Sequence, residues 1–188
     1  MILQTTHPTL WRTCRVLANR TRLRLFAQLM RQQPQTVLQL GESLALTPPV
    51  ASQSLRALEA RGLLKVRRFQ RRVEYRISGG NEVGDLAALV SALRGTLLHD
   101  TRSVEQVIRL ATAFTHPTRI EIYRQLHSRP LTQIQLKTRL GVSWPALSRH
   151  LAKLLRRGYV VLDEPEGRYG ITPHSHLLGR ALAKLALA

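Results

Sequence analysis

A mainly α-helical chain made of two copies of one small unit, each ending in a β-hairpin, is what the sequence predicts. Three observations carry that expectation. The segment "SWPALSRHLAKLLRRGYV", residues 143–160, has a blurred copy 96 residues earlier in "TPPVASQSLRALEARGLL", residues 47–64. Apolar residues make up 44% of the chain, charged residues 21% and aromatics 5%, a globular balance with a core built mainly from Leu, Ala, Val and Ile. A length of 188 residues accommodates two units of about 90 residues each.

Laid over residues 118–158 with a one-residue gap near Gln33, residues 21–62 match at Thr21/Thr118, Arg22/Arg119, Gln28/Gln125, Leu29/Leu126 and Pro34/Pro130. The identities continue through Thr36/Thr132, Gln39/Gln135, Leu40/Leu136, Leu44/Leu140 and Pro49/Pro145 to Ser52/Ser148, Leu55/Leu151, Leu58/Leu154, Arg61/Arg157 and Gly62/Gly158. Unrelated segments of this composition share about three. A duplication accounts for the match, and so long a period means two domains, 1–100 and 101–188, rather than a solenoid.

Within each copy the punctuation is regular. Asn19 in the first and His116-Pro117 in the second open a helix with Leu23, Phe26 and Leu29, or Ile120, Tyr123 and Leu126, on one face. Pro34 and Pro130 close it. Thr36 and Thr132 then cap a short helix, the second beginning with the capping pattern Thr132-x-x-Gln135. Three residues on come new caps, Thr47 followed by Pro48, and Ser143 with Pro145 just inside. The helix that follows carries Ala51, Leu55 and Leu58, or Leu147, Leu151 and Leu154, as one stripe, and Gly62 and Gly158 stand where a left-handed C-cap is required. Beyond them "LLKVRRFQRRVEYRIS" turns at about Gln70-Arg71 and "YVVLDEPEGRYGIT" at Glu166-Gly167, both reading as hairpins. Helix, short helix, a second helix after a tight turn, then hairpin is a winged helix-turn-helix. Further helices at 8–18, 83–98, 103–114 and 173–187 bracket the units, and their apolar stripes are expected to pack on one another.

Twenty-nine Lys and Arg against eleven Asp and Glu give a formal charge of +18, which points to a polyanionic partner, and double-stranded DNA leads. Residues 1–102 carry 16 basic and 6 acidic groups and residues 103–188 carry 13 and 5, so both copies are basic. The lone cysteine, Cys14, makes no internal disulfide, the start "MILQTTHPTLWR" lacks the features of a signal peptide, and no apolar run approaches the ~20 residues of a membrane helix. A cytoplasmic protein without a membrane partner is expected.

The phrases "LANRTRLRLFAQL" and "FTHPTRIEIYRQL", each followed by a Thr-capped helix, by "PPVASQSLRALEARGLL" or "WPALSRHLAKLLRRGYV", and by a hairpin, resemble the ArsR-type family of bacterial repressors. The likeness covers about residues 8–98 once and 103–187 again. It implies a DNA-binding repressor, associated with the bacterial nucleoid, in which terminal helices form a dimer interface and two recognition helices face adjacent major grooves. Two copies in one chain then imply an intramolecular pseudo-dimer, monomeric as a chain.

The resemblance places Ser52, Gln53 and Arg56, and Ser148, Arg149 and Lys153, on or beside DNA-reading positions. Arg suits a guanine edge, Gln an adenine edge, and Ser or Lys a phosphate or base. Thr47 and Ser143 at the helix starts join the expected DNA-contacting set, as does Trp144, which meets sugar or methyl groups or else packs on the hairpin. The first wing, Lys65 to Arg76, has six basic residues and one acidic, so Arg67, Arg68, Arg71 and Arg72 are expected on phosphates. The second wing, with Asp163, Glu164, Glu166 and Arg168, is net negative, and Arg168 is its one DNA-facing candidate.

The family's thiolate metal site is absent, because "VLQLGES" and "IQLKTRL" hold neither Cys nor His. A grouping of His99, Asp100, His174 and His176 has unspecific spacing, with capping or exposure the plainer role, and no metal or cofactor is expected. Cys14 reads as a small packing residue. No Gly-rich phosphate loop, nucleophile elbow or paired carboxylates are present, so catalysis is not expected. Two rival readings are a non-specific architectural DNA-coating protein and a protein-interaction module in which only one copy binds DNA.

Overall fold

The computed structural model describes residues 9–70, 72–78, 84–98 and 103–188. The first copy runs α1 (Leu10–Leu17), α2 (Arg20–Arg31), β1 (Gln35–Thr36), α3 (Val37–Leu44), α4 (Pro48–Glu59), β2 (Leu64–Phe69), β3 (Arg72–Ile77) and α5 (Asp85–Leu97). The second repeats that order as α6 (Ser103–Ala111), α7 (Pro117–Ser128), β4 (Leu131–Thr132), α8 (Gln133–Leu140), α9 (Trp144–Arg156), β5 (Val160–Asp163), β6 (Arg168–Ile171) and α10 (Leu177–Leu187), with a 3₁₀ turn at Thr112–Phe114 after α6. This is a mainly α-helical, tandem winged helix-turn-helix chain.

Local chemistry sets the helix starts. The Asn19 side chain accepts from the Arg22 amide at 3.0 Å, and His116 Nδ1 accepts from the Thr118 amide at 3.2 Å. Both short helices open on full capping boxes, since Thr36 pairs reciprocally with Gln39 and Thr132 with Gln135. The box expected in the second copy thus holds in both, since Gln39 stands at the same spacing from Thr36 as Gln135 does from Thr132. Thr47 and Ser143 do hold the N-cap positions of α4 and α9, yet neither hydroxyl makes the capping bond that the sequence reading assigned. Prolines explain part of this. Pro48 and Pro49 remove two amides from the start of α4, and Pro145 removes one from α9. At the far ends Gly62 (φ +70°) and Gly158 (φ +75°) adopt the left-handed turn, with Leu63 N–H donating back to Leu58 and Tyr159 N–H to Leu154, each at 3.1 Å.

Each hairpin gains a third strand from the chain just before the short helix. The sheet orders are β1-β3-β2 and β4-β6-β5, all antiparallel, with Gln35 opposite Tyr75 and Leu131 opposite Tyr169. Two-residue strands carry no periodicity, so the sequence did not announce them. They tie each wing to its helix-turn-helix.

The stripes Ala51, Leu55, Leu58 and Leu147, Leu151, Leu154 are buried, as are Leu23, Phe26, Leu29 and Ile120, Tyr123, Leu126. Equivalent core positions differ in kind. Leu17, Phe26 and Leu63 in the first copy correspond to Phe114, Tyr123 and Tyr159 in the second, whose rings meet edge to face with centroids 4.7–6.2 Å apart. Both copies contribute to one continuous apolar cluster. The bracketing helices do pack on one another: α5 lies along α10, α1 along α6, and α6 also against α2 and α5. Arg15 Nε donates to the Thr115 carbonyl at 3.2 Å across the junction. The exposed pairs Arg20–Glu105 (2.7 Å) and Lys184–Asp85 (3.6 Å) also bridge the copies and add little energy.

Candidate nucleic-acid interface

Burying one face of α4 and α9 leaves the other to solvent. On α4, Gln53 and Arg56 are exposed and Ser52 is half-buried. On α9, Ser148, Arg149 and Arg156 are exposed, while Lys153 is half-buried. Burial, followed by the neighbouring Arg157, Arg119 and Arg156 guanidiniums, lowers the Lys153 pKa from its ordinary value. The uncapped hydroxyls of Thr47 and Ser143 sit exposed at the helix starts. There the amides the prolines leave, of Val50 in α4 and of Trp144 and Ala146 in α9, and the helix dipole favour an anionic oxygen.

The second helix-turn-helix contains contacts that the sequence did not reveal. Gln133 Nε2 donates to Ser148 Oγ at 2.7 Å, tying the start of α8 to the recognition helix. Trp144 is 44% exposed, with Lys137 Nζ 5.5 Å from its ring centroid. The ring is therefore seated beside α8 and not buried against the hairpin. His150 turns inward, its Nδ1 accepting from Arg119 at 3.3 Å and its ring 4.7 Å from that of His116. Burial first, then His116, Arg119 and Arg149, bring the His150 pKa down to about 4. Arg119 itself is pinned by Thr115 Oγ1 at 2.6 Å and by the Ala113 and Thr112 carbonyls, so it orients α9 from behind.

The wings differ in sign and in shape. Arg67, Arg68 and Arg72 are exposed along β2 and β3, with Arg67 opposite Glu74 and Phe69 opposite Arg72. Arg71 lies outside the described residues. Phe69, at the tip, is 63% exposed, an apolar ring among guanidiniums that sequence reasoning passed over. Its only sequence signal is an aromatic in the last strand position before a turn. In the second wing Arg168 pairs with Glu166 of its own turn at 3.4 Å, so its charge is partly answered locally.

Among the described residues no three His, Cys, Asp or Glu side chains gather into a group fit to hold a metal. His99 and Asp100 lie outside the described residues. His174 Nε2 meets the Arg157 carbonyl at 3.2 Å and its Nδ1 accepts from the His176 amide at 3.1 Å. His176 Nδ1 caps α10 by accepting from Leu178 N–H at 3.1 Å. Both imidazoles thus serve the helix start. Cys14 is fully buried, which pushes its thiol pKa up despite the nearby Arg119. No helix among the described residues is long and apolar enough to cross a membrane.

Comparison with known families falls on the two DNA-reading units. Residues 17–67 match a helix-turn-helix domain, and residues 116–161 match the bacterial regulatory protein, arsR family. The chain is a tandem ArsR-type helix-turn-helix regulator. It binds DNA and regulates transcription, and the families it matches are regulatory DNA-binding domains. No curated protein and no solved structure matches the ArsR-type chain significantly. Both family matches end before α5 and α10, so the helices that join the copies lie outside the ArsR-type units.

Proposed function

We propose that the chain is a repressor acting as an intramolecular pseudo-dimer of domains 1–100 and 101–188, which blocks a promoter by occupying its DNA. The observation that carries this reading is the packing of α5 on α10 and of α1 on α6, which supplies within one chain the interface that a pair of separate units would need. Both recognition helices keep a polar, basic outer face. Gln53 and Arg56, with Ser52 and Thr47 beside them, read one half-site. Arg149 and Lys153, with Ser143, Trp144 and Ser148, read the other. Arg67, Arg68, Arg71 and Arg72 hold phosphates, and Phe69 enters the minor groove with them as an apolar wedge. Arg168, paired to Glu166, contributes least. The protein works in the cytoplasm, on the nucleoid.

Selection of binding sites from random duplex DNA tests this. The expected product is an imperfect inverted repeat, its half-sites centred about one helical turn (~34 Å) apart, bound at least ~10³-fold more tightly than random duplex. No preference over random duplex would establish an architectural coating protein instead. One observation favours a second reading: the acidic tip of the second wing suits a basic protein partner better than DNA. A footprint over a single half-site would select that reading.

A further inference from the structure

The duplication leads one to expect equivalent packing of α1 and α6, and the structure departs from it at one place. α6 lies against α2 and α5 of the first copy. Its counterpart α1 packs on α6 and the 3₁₀ turn and makes far less contact with α7 and α10. Between α1, α5, α7 and α10 remains a cavity of about 940 Å³. Its walls are largely apolar, with Leu86 and Leu89 from the first copy facing Ile120 and Leu185 from the second. That volume lies at the upper end of the ~300–1,000 Å³ typical of small-molecule sites.

The polar groups of the wall indicate what fits. Asp85 already holds Lys184 at 3.6 Å, and Glu121 Oε1 already accepts from Gln125 at 2.9 Å. Among the described residues Arg124 engages only through Nε, donating to the Ala186 carbonyl at 2.7 Å. The Arg61 guanidinium makes no hydrogen bond or ion pair with any described residue, whereas its repeat counterpart Arg157 donates to Thr112 Oγ1 at 3.0 Å. The first-copy position matching Thr112 is Arg15, which has no side-chain acceptor to offer. Among the ionic side chains of the wall, the Arg61 guanidinium is thus the one without a partner among the described residues, beside the Thr9, Thr13 and Thr118 hydroxyls, on a chain whose charge of +18 draws anions.

We propose that the cavity binds a hydrophobic monocarboxylate, its apolar body between the two copies and its carboxylate on Arg61, and that this binding alters DNA affinity. The route to DNA is short. Arg61 lies in the turn that ends α4, where its amide donates to Leu58 at 3.1 Å. Leu140 and Val142, also in the wall, flank Gly141, the turn joining α8 to α9. One ligand thus touches the end of the first recognition helix and the turn before the second. Any difference in its affinity for the free and DNA-bound arrangements changes DNA affinity by the same factor. The coupling, though not the binding, rests on the reading of both copies as one DNA-binding unit.

Calorimetric titration of the full chain with decanoate and with 2-naphthoate, each against its neutral alcohol, tests the site without DNA. The expected result is saturable binding of one acid per chain, about tenfold tighter than the alcohol. The tighter of the two acids identifies the apolar body as a flexible chain or a ring system. In Arg61→Gln the preference for acid over alcohol should vanish while alcohol binding is unchanged, and Arg61→Lys should restore part of it. Saturating acid should then shift affinity for selected duplex about fivefold or more in either direction. Non-saturable binding, equal affinity for acid and alcohol, or a preference that survives in Arg61→Gln would overturn the site. Unchanged duplex affinity at saturation would overturn the coupling. If the unliganded chain prefers no duplex, the DNA reading and the coupling fall together, and the titration still decides the site.

Discussion

His150 belongs to the recognition helix but works from its inner side, and its titration leaves a mark on stability. Its pKa falls from the ordinary 6.5 to about 4, and those of His116, His174 and His176 are also lowered, each chiefly by burial. Between those pH values the unfolded chain binds protons that the folded chain does not. The stability they contribute is therefore complete above about pH 6.5 and is lost as pH falls through 4. Urea unfolding should show a midpoint that is flat from pH 8 to 7 and declines below 6.5. His150→Gln, which keeps an acceptor for Arg119, should make that decline shallower, and an unchanged slope would refute the assignment. Arg149, the residue before it, sits on the exposed side of the same helix. Arg149→Ala should cost about 1–3 kcal/mol on the selected site and relax preference at one base position, read by competition binding across single-base variants. Equal losses on selected and random duplex would show a phosphate contact instead.

At the scale of the element, the two helix-turn-helix units solve one geometric problem with different residues. The short helix must end in a left-handed residue before the recognition helix begins. The second copy places Gly141 there at φ +61°, the first Ala45 at φ +53°. A Cβ in that region costs roughly 1–2 kcal/mol, and glycine gives back part of it through its freer unfolded chain. Ala45→Gly should raise the unfolding free energy by about 0.5–1 kcal/mol in denaturant melts, and a destabilised variant would contradict the strain. The wings divide along charge. Replacing Arg67, Arg68, Arg71 and Arg72 with Ala should weaken binding to every duplex and reduce the salt dependence by up to ~4 in logarithmic slope. Substitutions on the second recognition helix should leave that slope nearly unchanged, apart from the one charge removed. If wing and helix variants lose selected and random DNA in the same proportion, the division of labour is wrong.

For the whole molecule, two fused and unlike copies acting as the proposed pseudo-dimer should take a fixed orientation on DNA. A homodimer presents two identical faces and prefers a palindrome. Here one half combines Gln53 and Arg56 with an arginine wing, and the other combines Arg149 and Lys153 with an acidic wing. Sedimentation of the complex should find one chain per selected duplex, and hydroxyl-radical footprints should differ between half-sites in a constant orientation. Two chains per duplex, or a symmetric footprint, would show that the copies pair between molecules.

The sequence by itself determined the repeat, the caps at Asn19, Thr36 and Thr132 though not those at Thr47 and Ser143, the buried stripes and the two hairpins, because each is a local pattern. A Thr three residues before Gln, a Gly after a run of helix formers, or Leu at i, i+4 and i+7 acts through neighbours along the chain and can be read there. It also showed the candidate DNA face, since Gln53, Arg56 and Arg149 stand opposite those stripes. Only the tertiary structure decided the rest. The strands β1 and β4 exist because β3 and β6 are there to pair with them. The inward turn of His150 depends on Arg119 and His116 from another helix, and the exposure of Phe69 depends on where the hairpin projects. The cavity between the copies is further still from any local rule. It arises where two helices of related sequence meet unequal surroundings, so that Arg157 finds Thr112 and Arg61 finds no partner among the described residues. Contacts of that kind join residues from 45 to 100 positions apart, as Arg157–Thr112 and Arg15–Thr115 do, and their energy depends on the shape of both surfaces at once.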